Sequence, residues 1–160
     1  MAKPVARKTA IRAAAKRSRT PAGKTAARPP RLKETPAFKK GLAVRRAVLG
    51  RKYVAEALAR AAEDPFTVEL QQYVTETAWG GVWTRPGLDR RGRSLVCLGM
   101  LGALDKPREL KLHIRGALNN GLSRDEIKEV LLQVAVYCGA PAALEAFRAA
   151  GEVFAEIDAE

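Results

Sequence analysis

The chain of 160 residues has one histidine, His113, and two cysteines, Cys97 and Cys138, 41 positions apart with no CxxC. That is too sparse for a disulfide framework or a zinc site. It suits reduced, buried thiols in a cytoplasmic protein. No apolar run approaches the roughly 20 residues that cross a bilayer. No apolar stretch follows the first charges, so the start does not read as a secretory signal. Acidic residues are nearly missing from residues 1–40, which hold thirteen Lys and Arg against Glu34 alone. The whole net charge of +12 therefore falls there, and the rest of the chain carries sixteen charges of each sign. Bulk charge says nothing about what the body binds. Also absent are a phosphate-binding loop, a nucleotide glycine signature, a hydrolase elbow, any strand-like alternation and any internal repeat.

What is present divides in two: residues 1–40 and residues 41–160. The first part is Ala, Lys, Arg, Thr and Pro, with few larger apolar side chains (Met1, Val5, Ile11, Leu32) before Pro36. Such a stretch buries too little to offset chain ordering, so it reads as a disordered basic extension. A solvated tail competes there with a nucleic-acid arm and with an Arg-rich targeting peptide.

The second part is all helical in pattern, with five or six helices and short turns. "GLAVRRAVLG" stops at Gly50, and "KYVAEALARAAE" follows. Asp64-Pro65 offers an N-cap and a first-turn proline for a segment ending at Gly80-Gly81. Asp89 caps a helix that runs to about Leu104. Asp105 to Pro107 opens "RELKLHIRGALNNG", closed by Gly121. Ser123 and Glu126 form a capping box, and the helix behind it stops at Gly139. Pro141 starts the last helix, to about Ile157.

An α-helix turns 100° per residue. With Glu109 at 0°, Gly116, Asn120 and His113 fall within about 40° of it, and Arg108, Lys111 and Arg115 lie on the far side. His113 thus shares a polar stripe with Glu109, and Gly116 leaves room beside it. A carboxylate one turn before a histidine orients the ring and raises its pKa, which suits a proton donor. A core histidine paired with Glu109 fits the same pattern. A second cluster, "AWGGVWTRPGLDRRGRSL", sets Trp79 and Trp83 around a glycine pair, followed by Arg85, Arg90, Arg91 and Arg93. Aromatic walls with guanidinium forks suit a small anionic ligand. A tryptophan-filled corner with surface arginines is the competing reading.

"VRRAVLG", "AWGGVWTRPGL", "RSL", "ELKLHIRGALNNG", "EIKEVLLQVAVYCGAPAA" and "VFAE" occur in that order. Together, over about Gly41 to Glu156, they closely resemble the 4-carboxymuconolactone decarboxylase family. The resemblance implies an all-α, alkylhydroperoxidase-like fold and a homo-oligomer, a trimer or hexamer, typically a hexameric ring. Close relatives are expected to carry histidine where this chain has Thr77. That leaves His113 as the one imidazole candidate. The thiol peroxidases of this class carry a CxxC where Lys106 and Glu109 stand here, so thiol chemistry is not implied.

The activity implied is cofactor-independent, metal-free decarboxylation of 4-carboxymuconolactone to 3-oxoadipate enol-lactone in protocatechuate catabolism. Electrons from the departing carboxylate flow through the ring double bond to the lactone carbonyl, so the substrate is its own electron sink. The candidate roles are His113 as proton donor, Glu109 as its orienting carboxylate, Arg85 and Arg93 as holders of the dianion, and Trp79 and Trp83 as dry walls. Two alternatives stand beside this. One keeps the fold and changes the substrate to another lactone or a β-keto acid. The other is a helical oligomer whose basic tail binds nucleic acid. The apolar "EVLLQVAVYCGAPAAL" run is wider than one small core needs and is assigned to a subunit contact.

Overall fold

The computed structural model describes residues 31–160. The expected extension and its nucleic-acid contact fall mainly on residues 1–30, outside the described residues. Among the described residues there are helices and no strand. They are α1 (Pro36–Leu49), α2 (Arg51–Glu63), α3 (Val68–Val74), α4 (Arg90–Ala103), α5 (Pro107–Asn119), α6 (Arg124–Cys138) and α7 (Ala140–Asp158). A π-helical segment, Thr75–Val82, continues α3 without a break.

The count is seven α-helices rather than five or six. Gly50 and Gly139 adopt φ of 87° and 94°, a region L side chains rarely enter, and each splits two helices that abut in sequence. Helix α1 starts at Pro36, five residues before Gly41, because Thr35 caps it by accepting from Phe38 N at 3.0 Å. Asp64 does not open α3 as expected. Its carboxylate accepts from Phe66 N at 2.9 Å, closing a local turn, and the helix begins only at Val68. Asp89 and Ser123 cap α4 and α6 as read, the latter in a full capping box with Glu126.

Two apolar clusters organise the body. One joins α4, α5, α6 and α7 through Leu98, Leu110, Ile114, Ile127, Leu131 and Val153. The other joins α1, α2 and the π segment through Val44, Val48, Val54, Trp79 and Trp83, with Leu112 and Cys97 packed against it. Helix α5 serves both: Ile114 faces one cluster and Leu112 the other, so His113 between them is drawn inward. Each fully buried Leu or Ile contributes roughly 1.5–3 kcal/mol. On the outer side of α5, Lys111 pairs with Glu152 of α7, and Arg115 with Glu156 of α7 and with Glu160 just beyond it.

Helix α1 lies against the π segment with backbones nearly touching. A Cβ on Gly41 would stand 1.9 Å from the Thr75 carbonyl oxygen and 2.7 Å from Gly80 N. A Cβ on Gly80 would stand 2.6 Å from the Ala37 carbonyl oxygen. The glycine pair in "AWGG" therefore does not end the helix. Gly80 lets α1 approach, and the π turns continue to Val82.

Candidate active site

The π segment places two indoles, Trp79 within it and Trp83 at its C-cap. Its hydrogen bonds span five residues, as in Trp83 N to Ala78 O at 2.9 Å, so each turn holds more residues than in an α-helix. In an α-helix, residues four apart diverge by about 40°. The wider turn brings them nearer one line. Trp79 and Trp83 stack, centroids 4.8 Å apart with planes at 30°. His113 of α5 meets both rings. It lies nearly parallel to Trp79, at 6.2 Å and 7°, and tilted to Trp83, at 6.4 Å and 35°.

Burial pushes the His113 imidazole below its ordinary value of 6.5, and the charge of Glu109 acts in the opposite, weaker sense. The resting ring is therefore neutral at pH 7. Sequence reasoning expects Glu109 to raise this pKa; desolvation by the aromatic walls outweighs it. Glu109 itself is exposed, and no hydrogen bond or ion pair among the described residues joins it to His113. Gly116 does not leave room beside the histidine either. A Cβ there would come within 3.1 Å of Val48 and 3.3 Å of Leu49, so its gap is filled by α1. Asn120 instead donates to Ser94 Oγ at 2.9 Å, tying α5 to α4.

The arginines separate. Arg85 is exposed, and its carbonyl accepts from Arg93 Nη2 at 2.9 Å. The Arg93 Nε is buried and has no partner. One turn further along α4, Cys97 packs against the indole cluster; burial raises its thiol pKa and the nearby Arg93 charge opposes this. That proximity places Arg93 on the same side as Trp79 and Trp83. Arg91 is taken by Glu126 and the Gly121 carbonyl. Arg90 is exposed. Thr77 is exposed and donates to the Tyr73 carbonyl at 2.7 Å. Cys138 is exposed in this chain rather than buried, because α6 ends at Gly139 on the rim of the bundle.

One residue escapes the sequence reading. Arg45 of α1 is 5% exposed. Its Nη1 donates to Thr75 Oγ1 at 3.0 Å, and its Nε is buried without a partner. Burial lowers its pKa, with the Tyr53 phenol acting weakly against this. The signal lies in the spacing: Gly41, Val44, Arg45 and Val48 fall at i, i+3, i+4 and i+7, one buried stripe.

The open cavities lie away from the aromatic trio. One of about 440 Å³ is lined by Lys33, Gln72 and Tyr73, and one of about 700 Å³ by Gly50, Arg51, Arg115 and Asn119. Neither holds an imidazole, and the chemistry of the side chains, rather than concavity, marks the trio as the candidate site.

The family model described as "Carboxymuconolactone decarboxylase family" matches residues 69–152. This range takes in the π segment, Arg93 and His113. A nitrosuccinic acid decarboxylase of Metarhizium robertsii is 51% identical over 109 residues, covering 68% of this chain and 75% of that protein. A 4-carboxymuconolactone decarboxylase of Acinetobacter baylyi is 42% identical over 120 residues, covering 75% and 88%. An uncharacterised 15.0 kDa protein of Paracoccus denitrificans is 36% identical over 88 residues, covering 53% and 65%. The chain belongs to the carboxymuconolactone decarboxylase family.

Proposed function

We propose that the protein is a carboxy-lyase that decarboxylates 4-carboxymuconolactone. The observation that carries this reading is a half-buried imidazole stacked on Trp79 and tilted against Trp83, with the unengaged Nε of Arg93 on the same side, in a chain of this family. The carbon–carbon bond to the leaving carboxylate breaks and CO₂ departs. The electron pair passes through the ring double bond to the lactone oxygen, and the resulting dienolate takes a proton on the carbon next to that carbonyl.

Arg85 at the rim draws the dianion in, and Arg93 offers donors to its anionic oxygens. Trp79 and Trp83 exclude water, which favours turning a carboxylate into neutral CO₂. His113 delivers the proton. Its resting neutrality is compatible with this role, because an arriving dianion raises the pKa of an imidazole beside it. The indole faces also stabilise an imidazolium. Glu109 is placed one turn away as an electrostatic aid, without a direct hydrogen bond.

A second reading is favoured by the 51% identity to a nitrosuccinic acid decarboxylase. Nitrosuccinic acid is also a dicarboxylic acid, and loss of CO₂ beside its nitro group leaves a carbanion that the nitro oxygens delocalise. The demands on the protein are the same: hold a dianion, stabilise oxygen-centred charge, protonate carbon. The test is to offer purified protein each substrate and follow ultraviolet absorbance and CO₂ release. Loss of the lactone chromophore supports the first reading. Turnover of nitrosuccinate alone overturns it in favour of the second.

We also propose that the chain works as a homo-oligomer. Leu132, Val136, Tyr137 and Leu144 of α6 and α7 are exposed together, with Val136 and Tyr137 at 78% and 81%. Large apolar side chains exposed on these two adjoining helices suit a subunit contact. No helix among the described residues is long and apolar enough to cross a membrane. The proposed setting is the cytoplasm, in keeping with two free cysteines.

A further inference from the structure

Neither the fold nor the proposed chemistry uses the charge of Arg45. It is buried in the seam between α1 and the π segment, with one hydrogen bond, from Nη1 to Thr75 Oγ1 at 3.0 Å. Its Nε has no partner, and no carboxylate pairs with it among the described residues. Burying an uncompensated charge is expensive. A neutral amide or hydroxyl would hold Thr75 without that cost. The charge is therefore matched to an anion that arrives.

The guanidinium geometry says where. A guanidinium holds a carboxylate bidentately along one edge. With Nη1 committed to Thr75, the edge left is Nε with Nη2. Three contacts place Arg45 beside the junction that contains His113. Arg45 touches Thr75, which lies one turn before Trp79. Trp79 stacks on His113. Val48, the next turn of α1, packs on Gly116, the next turn of α5 after His113.

We propose that Arg45 is a substrate-binding residue that fixes specificity for a dicarboxylate, gripping through its Nε–Nη2 edge the carboxylate that stays on the product. The dianion then meets guanidinium groups from α1 and α4, and the orphaned Nε of Arg45 is the empty half of that fork. This rests on the decarboxylase reading and names what the same site selects.

The test compares two lactones: 4-carboxymuconolactone, and its analogue with the retained carboxylate converted to the primary amide while the leaving carboxylate is kept. Wild-type protein is expected to prefer the dicarboxylate by roughly ten- to a hundredfold in kcat/KM. Arg45→Gln should abolish most of that preference, through KM for the dicarboxylate, and leave kcat/KM for the amide within about threefold of wild type. Arg45→Lys keeps the charge but loses the fork, and covers the case in which the glutamine variant does not fold. It should lose at least half of the logarithmic preference. Equal losses on both substrates, in whichever variant folds, would show a purely structural arginine and overturn the proposal. So would an undiminished preference. Wild-type protein that turns over neither lactone defeats the 4-carboxymuconolactone reading itself, and the inference falls with it.

Discussion

The imidazole of His113 and the indole of Trp79 lie almost parallel, 7° apart in plane with centroids separated by 6.2 Å, although they come from elements over thirty residues apart. The pairing removes water from the ring and sets its protonation. If His113 is the proton donor, His113→Gln should cut kcat at least a hundredfold, within the usual range for a general acid. Circular dichroism and oligomer mass should be unchanged. A variant with near-normal turnover would remove His113 from the mechanism.

The same relationship fixes a pH signature. Free protein holds His113 below 6.5, so the protonated form fades as pH rises through that lowered value. The profile of kcat/KM, which reports the free protein, should decline from there. The profile of kcat reports the complex, where the bound dianion raises the pKa, so its decline should begin at higher pH. Coincident limbs would contradict a donor whose charge depends on substrate.

Stability carries the opposite sense. The unfolded chain binds this proton more readily than the folded one. The contribution from a neutral, partly desolvated His113 is present above about pH 6.5 and is lost as pH falls below it. Thermal melts of His113→Gln should show a shallower acid-side decline than wild type between pH 7 and 5. Parallel curves would mean that the ring is not desolvated as described.

Gly41→Ala tests the seam between α1 and the π segment. Its Cβ would meet a backbone oxygen at 1.9 Å, and backbone cannot swing aside as a side chain can. The expected cost is about 3 kcal/mol, at the upper end for overpacking. The shift should also disturb the Trp79–Trp83 stack, visible in near-ultraviolet circular dichroism. Wild-type stability in Gly41→Ala would show that the two helices have room to part.

Ser123→Ala is the contrasting case. It removes a cap far from the aromatic trio and should cost about 1 kcal/mol without changing kcat. Val136→Glu should break the proposed subunit contact, lowering the mass seen by light scattering. If that variant keeps the wild-type oligomer mass, the contact lies elsewhere.

The legible parts of this fold were those governed by local chemistry. Ser123 with Glu126, and Asp89 before Gly92, are hydrogen-bonding patterns completed within one helical turn. The inward pointing of His113 follows from the flanking Leu112 and Ile114. What sequence reasoning missed depends on a second element. Gly80 looks like a helix terminator until α1 is laid across it. Gly116 looks like ligand space until Val48 fills it. Arg45 sits on a buried stripe, but an arginine beside another arginine reads as a solvated face. The π turns have no local signature at all; they arise where Thr75–Val82 settles against α1.

Those π turns make the number of residues part of the site. Because the hydrogen bonds there span five positions, a chain one residue shorter between Trp79 and Trp83 would relax towards an ordinary α-helix. Trp83, now three residues after Trp79, would then stand about 60° from it around the axis, out of the near-alignment that the π turn provides, with every catalytic candidate still present in the sequence. Point substitutions explore what the aromatic wall is made of. A single-residue deletion explores whether there is a wall, and it is the smallest genetic step by which this scaffold could exchange one pocket for another.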